Sequence, residues 1–140
     1  MMIRQISVFV ENKSGRLFSL TNTLAEKGID LLALSLADTA KYGILRMIVS
    51  DPDSALKIIQ DASFTASETP VLGVEVADEP GGLAKVLHMF KEHGISVEYL
   101  YSFVRTAGEN AMIIFRVEDV EKAGGLLSEA GFKLITEEMI

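Results

Sequence analysis

The 140-residue chain contains no cysteine. Disulfides, thiolate nucleophiles and cysteine-bound zinc or iron–sulfur centres are therefore excluded. With no disulfide to mark an oxidising compartment, the expected location is the cytoplasm. Histidine is scarce. His88 and His93 are the only two, and their spacing does not place them on one helical face, so no metal pair is expected. Positive charge is also short: 13 Lys and Arg stand against 20 Asp and Glu, a net charge of −7. Nucleic acid and anionic membrane surfaces are not expected partners, because binding either requires cations that neutralise phosphate. No uninterrupted apolar run approaches the roughly 18 residues of a membrane span. The N-terminal MMIRQISVFVENK reads as a strand, not as a signal peptide. What remains is 49% hydrophobic and 24% charged, a globular composition.

The apolar periodicity resolves into elements. Ile6, Val8 and Val10 alternate with Gln5, Ser7 and Phe9, which predicts a strand with one buried face. Ser14 and Gly15 break it. Leu17, Leu20 and Leu24, widened by Ala25, form the stripe of a helix of about three turns. Gly28 ends that helix, Ile29 to Asp38 reads as strand two, Ala40 to Gly43 as a turn, and Ile44 to Val49 as strand three. Asp51-Pro52-Asp53 starts a second helix with an N-cap carboxylate and a proline at the first helical position. Ala55, Ile58 and Ile59 supply its apolar face. Phe64 to Thr69 completes a β-α-β-β-α-β order, the ferredoxin-like unit.

The second half repeats the first. Val71 to Val76 is strand one, and Leu83, Val86, Leu87 and Phe90 mark a helix that Gly94 ends. Ile95 to Thr106 is strand two, Ala107 to Asn110 a turn, and Met112 to Val117 strand three. Asp119 starts the last helix, with Val120, Ala123, Leu126 and Leu127 as its apolar face. Gly131 ends it before strand four, Phe132 to Thr136. Gly15 matches Gly81, Leu24 matches Phe90 and Gly28 matches Gly94, each pair about 66 positions apart. After the hairpin Asp51 matches Asp119 and Ala55 matches Ala123, about 68 apart, so the insertion falls in the strand two–three turn. Thr69-Pro70 is the natural boundary between domains 1–69 and 70–140. Gly124-Gly125 inside the last helix costs about 1 kcal/mol per glycine relative to alanine, and a close helix contact would account for it.

Each repeat turns from strand into helix through a polar, glycine-containing loop. A helix that starts directly after glycine leaves its first N–H groups open and carries partial positive charge there. A carboxylate or phosphate suits that end. Asn12 and Asp78 stand at matching loop positions, and each either caps its helix or offers an oxygen to an ammonium group. Together these groups suit a free α-amino acid. Tyr99, Tyr101 and Phe103 share one strand face and read as packing, since a stacking platform for nucleic acid needs a basic groove. His93, just before Gly94, suits a helix C-terminus. No nucleophile stands with a base at a recognisable spacing, so no catalytic residue, cofactor or metal is expected.

At these loops the chain resembles two tandem ACT domains, small amino-acid-sensing regulatory modules. Asp78-Glu79-Pro80-Gly81-Gly82-Leu83 matches the family's D-x-P-G-x-L loop. Glu92-His93-Gly94-Ile95-Ser96-Val97 matches its helix end followed by G-I-N-I. Asn12-Lys13-Ser14-Gly15-Arg16-Leu17 and Glu26-Lys27-Gly28-Ile29-Asp30-Leu31 match less closely. Ser14 replaces the usual proline, and Asp30 and Ser96 stand where asparagine is common. The resemblance implies an α+β fold: two ferredoxin-like domains with antiparallel sheets and helices on one face. It implies a ligand lying between the strand-one loop of one domain and the start of strand two of a neighbour. The implied loop residues are Asn12, Lys13, Ser14, Gly15, Arg16 and Leu17, with Asp78, Glu79, Pro80, Gly81, Gly82 and Leu83. The implied strand partners are Ile29, Asp30, Leu31, Ile95, Ser96 and Val97. The expectation is a stand-alone, non-enzymatic sensor of a free amino acid, forming a homodimer and regulating a separate enzyme of amino-acid metabolism. The alternative is a constitutive docking module whose ligand sites have degenerated.

Overall fold

A computed structural model describes residues 2–38, 41–104 and 110–140. The chain divides into two compact units, Arg4–Thr69 and Pro70–Ile140, the latter joined by the N-terminal residues up to Ile3.

The first unit runs β1 (Ile3–Glu11), α1 (Arg16–Glu26), β2 (Leu31–Asp38), β3 (Tyr42–Val49) and α2 (Pro52–Asp61), and closes with the first part of β4 (Thr65–Ala77). β3 lies antiparallel between β1 and β2, pairing Val8 with Leu45 on one side and Leu36 with Leu45 on the other. The alternation predicted for β1 is present: Ile6, Val8 and Val10 are buried. They meet Leu20 and Leu24 of α1, Ala55 and Ile59 of α2, and Leu45, Met47 and Val49 of β3 in one apolar core. Both helices therefore cover the same face of the sheet.

The second unit runs from the latter part of β4 through α3 (Gly82–Glu92), β5 (Val97–Ser102), β6 (Asn110–Val117), α4 (Val120–Glu129) and β7 (Lys133–Ile135) to a 3-10 turn at Glu137–Met139. β6 pairs antiparallel with β4 and β5, and β7 pairs with the other edge of β4. Its core reproduces the first almost position for position: Leu72, Val74 and Val76; Val86 and Phe90; Ile113, Phe115 and Val117; Ala123 and Leu127. Where the first unit packs Leu24 and Met47, the second packs Phe90 against Phe115 edge-to-face, with ring centroids 5.4 Å apart. Even the bulges correspond. Register shifts between Leu31 and Ala33 in β2, and between Val97 and Tyr99 in β5.

The helix ends follow one rule. At α1, Gly28 N–H donates to Ala25 O and Ile29 N–H to Leu24 O, the paired bonds of a Schellman motif. The same pair closes α3 at Gly94 and Ile95, and α4 at Gly131 and Phe132. At α2 the left-handed position is taken by Ser63, φ 69°, the single non-glycine residue with positive φ among those described. The following Ile29, Phe64, Ile95 and Phe132 fold back toward their helices, as the motif requires. The helix starts of α2 and α4 also match: Asp51 accepts from Ser54 N–H at 3.2 Å and Asp119 from Lys122 N–H at 3.0 Å.

The structure corrects several expectations. Phe64–Thr69 and Val71–Val76 are not separate strands, because β4 runs through Thr69-Pro70 without interruption. The residue before a proline is driven to extended backbone and proline's own φ permits it, so the pair continues the strand. Leu17 and Ala25 are exposed, not buried. Ala25 lies well off the line through Leu20 and Leu24, and Leu17 sits in the first turn, at the open end of the stripe. Strand two begins at Leu31 and at Val97, later than expected at both places. Tyr42 and Gly43 belong to β3, not to the preceding turn. Residue 40 of that turn, residues 107–109 of the next, and residues 105–106 of strand two lie outside the described residues. Gly124 is buried, but a Cβ on Gly125 would meet nothing within 4 Å, so no close contact explains Gly125.

Gly125→Ala should therefore stabilise the protein by about 0.5–1 kcal/mol, through higher helix propensity and a less flexible unfolded chain, measured as a raised urea midpoint. A second expectation concerns acid. The Ser54 side chain, and then its backbone N–H, hold the Asp51 carboxyl below its ordinary value of 3.8. Since the folded-state value is the lower one, this cap contributes fully above the unfolded value and is lost as pH falls through the folded one. Asp51→Asn should make the decline of urea midpoints from about pH 5 to 2 shallower than in the unmodified protein.

Candidate functional site

The two strand-to-helix loops are built by the same hydrogen bonds. In the first, Lys13 N–H donates to Glu11 O at 2.8 Å, Arg16 N–H to Lys13 O at 3.2 Å and Ser19 N–H to Gly15 O at 2.9 Å. In the second, Glu79 donates to Ala77, Gly82 to Glu79 and Lys85 to Gly81, at 2.9, 3.0 and 3.1 Å. Gly15 at φ 85° and Gly81 at φ 88° are the N-caps of α1 and α3, both left-handed. Neither helix receives a side-chain cap bond. Asn12 and Asp78 are thus not helix caps, and the N–H groups of Leu17 and Phe18, and of Leu83 and Ala84, precede the first in-helix bond.

The loops differ where they enter the helix. A Cβ on Gly82 would lie 2.0 Å from the Ala77 carbonyl oxygen, so only glycine fits there. The matching residue in the first loop is Arg16. Its guanidinium carbon lies 4.3 Å from the centroid of the Phe64 ring. Its Nε is buried with no hydrogen-bond partner. Asn12, Lys13, Ser14 and Gly15 are exposed, as are Asp78, Glu79, Pro80 and Gly81; Leu83 is half-buried.

The strand-two starts behave differently. Ile29 is a core residue, 8% exposed. Asp30 is held by its backbone, its N–H donating to Ser50 Oγ at 2.9 Å and its carbonyl accepting from Ser50 N–H at 3.0 Å. Leu31, Ile95 and Val97 are half-buried, and Ser96 is exposed.

Within one unit the predicted loop and strand residues do not meet. The loop sits at the start of α1 and the strand-two start follows its end. Eleven helical residues separate them by about 16 Å. The cavities reflect this. One of about 290 Å³ in the first unit is lined by Glu11, Asn12, Lys13, Lys41 and Tyr42, and so takes in part of the loop alone. One of about 940 Å³ in the second unit takes in Gly94, Ile95 and Ser96, but none of Asp78 to Leu83. The latter also contains Arg116, which sequence reasoning passed over. Arg116 Nε pairs with Glu98 at 3.2 Å and its Nη1 donates to Pro70 O at 3.0 Å. A lone cation inside the apolar run Met112–Val117, where the first repeat carries Ile48, was the available signal. Among the described residues, no cluster of His, Asp or Glu could hold a metal ion, and no helix is long and apolar enough to cross a membrane.

A family model described as an ACT domain pair matches residues 1–140. The chain belongs to the ACT domain pair family. A solved Bacteroides thetaiotaomicron protein is 40% identical, with TM-score 0.93 over 99% of this chain and 95% of its own. The regulatory subunit of aspartate kinase from Thermus thermophilus, in a ligand-free form, has the same fold at 18% identity, with TM-score 0.65 over 91% and 92% of the two chains. The corresponding subunit from Thermus flavus is also 18% identical, with TM-score 0.62 over 91% of each chain. A search among curated proteins found no match. The two aspartate kinase neighbours are regulatory subunits, and they share the tandem ferredoxin-like fold of this chain.

The ACT loop of the second repeat rests on Gly82. Gly82→Ala must push Cβ into the Ala77 carbonyl and should cost about 1–3 kcal/mol, the usual range for forced overpacking. Urea denaturation followed by circular dichroism reads this directly; an unchanged midpoint would mean that the loop moves aside freely.

Proposed function

We propose that this ACT pair, with one domain over residues 1–69 and one over 70–140, is a regulatory protein that binds a free amino acid. The observation that carries the reading is the repeated loop: the same three bonds, the same left-handed glycine and the same uncapped helix start, twice in one chain. The ligand carboxylate accepts from the open N–H groups after Gly15 or Gly81. Its ammonium donates to the side-chain oxygen of Asn12 or Asp78. A second ACT domain contributes its strand-two start, Ile29 to Leu31 or Ile95 to Val97, because a loop and a strand start of one domain stand a helix length apart. A ligand that bridges two domains favours one arrangement over others, and a partner enzyme of amino-acid metabolism reads the resulting population.

Homodimerisation belongs to the same reading. β2 carries no charge before Asp38 and exposes Leu34 and Leu36 at 42% and 52%. Such an edge strand invites pairing with another. One observation favours the alternative, a constitutive docking module: the backbone of Asp30 is already committed to Ser50, which removes its N–H from a ligand.

A thermal-shift screen against the twenty free amino acids separates the two readings. A ligand at 100 times its Kd should stabilise the fold by about 2.7 kcal/mol, a rise of several degrees for a domain this small. Gly81→Val should abolish the response of the second repeat. A cooperative melt that no amino acid shifts would reject the sensor and leave the docking module.

A further inference from the structure

The two loops have opposite electrostatic character. The first holds Lys13 and Arg16, with Lys41 brought alongside by the bond from Asn12 N–H to Lys41 O at 3.2 Å. Against these three cations stands Glu11, paired with Lys13 at 3.1 Å. The second loop holds Asp78 and Glu79 and no cation, and the nearest lysine in the helix, Lys85, lies 3.8 Å from Glu79.

Arg16 is the sharpest difference. No side chain fits at its counterpart Gly82. Its guanidinium is laid on the Phe64 ring, which fixes the plane of the fork. Its Nε is buried and lacks an acceptor. A buried donor left unmade costs free energy that a ligand acceptor recovers. A planar, pre-positioned guanidinium matches a carboxylate bidentately, and a second carboxylate is the anionic group that an amino acid can carry. The cavity of about 290 Å³ in the same unit is lined by Lys13 and Lys41, with Glu11, Asn12 and Tyr42.

We infer that the first repeat selects a dicarboxylate, with Arg16 as the residue that sets this specificity. The inference rests on the amino-acid-binding reading for the α-carboxylate and ammonium; Arg16 takes the second carboxylate. The first repeat is therefore a site for an acidic amino acid, while the acidic second loop disfavours the same ligand.

Calorimetric titration tests this with L-aspartate, L-glutamate, L-leucine, L-lysine and succinate, the last a dicarboxylate without an ammonium. The acidic amino acids should bind the unmodified chain, and Arg16→Gln should weaken them at least tenfold. If Arg16→Gln does not fold, Arg16→Lys, which keeps the charge and loses the fork, should still weaken them several-fold. Acidic amino acids bound equally well by a folded variant would overturn the inference and leave amino-acid binding standing. Binding of leucine or lysine alone would do the same. Succinate bound through Arg16 with no amino acid bound would support the inference and reject the amino-acid reading. No binding of any probe would reject both.

Discussion

A glycine in the left-handed region, at residue 15 and again at 81, is the constraint on which each unit is organised. It turns the chain from the end of a strand directly into the first turn of a helix, and the three bonds around it fix the direction in which that helix leaves. That direction lays Leu20 and Leu24, or Val86 and Phe90, onto the sheet. It also leaves the first helical N–H groups facing outward without a side-chain cap. One backbone device thus serves burial on one side and leaves uncapped N–H groups on the other.

The repeats have diverged in different ways at different depths. Their cores differ in size at two matching positions: Leu24 and Met47 in one, the larger Phe90 and Phe115 in the other. The apolar patterning is kept, which is what a core must preserve to tolerate such changes. At the loops the change is chemical. A guanidinium stacked on an aromatic ring stands where the other repeat has room for hydrogen alone. The first kind of change stays within the apolar pattern of the core, while the second alters the charge and shape of an exposed loop.

The separation of loop and strand start by the length of α1 gives the family's regulatory logic a physical basis. No single ferredoxin-like unit of this kind can close both ends around one small molecule. Under the proposed reading, a ligand that used both would have to join two domains, and its binding and their pairing would be one equilibrium.

The elements and the repeat were legible in the chain because apolar periods of 2 and 3.6, aspartate caps and glycine stops act locally. Asp51, Asp119, Gly28 and Gly94 each do in the structure what their neighbours in sequence imply. Ser63 escaped notice because serine is not a glycine signal, although the same paired bonds hold it left-handed. The candidate loop residues were legible from their motif, but their environments were not. Burial of Ile29, the anchoring of Asp30 by Ser50 and the stacking of Arg16 on Phe64 all join residues at least 20 positions apart or place them against the core. The continuous β4 was hidden for a related reason: a proline reads as a boundary until the paired strands around it are known. Sequence alone determined the elements, their order and their duplication, since these follow from local backbone preference and hydrophobic pattern. Tertiary structure alone decided which loop carries an arginine with a buried, unpartnered Nε and which admits no side chain at all, since both depend on atoms that only folding brings together.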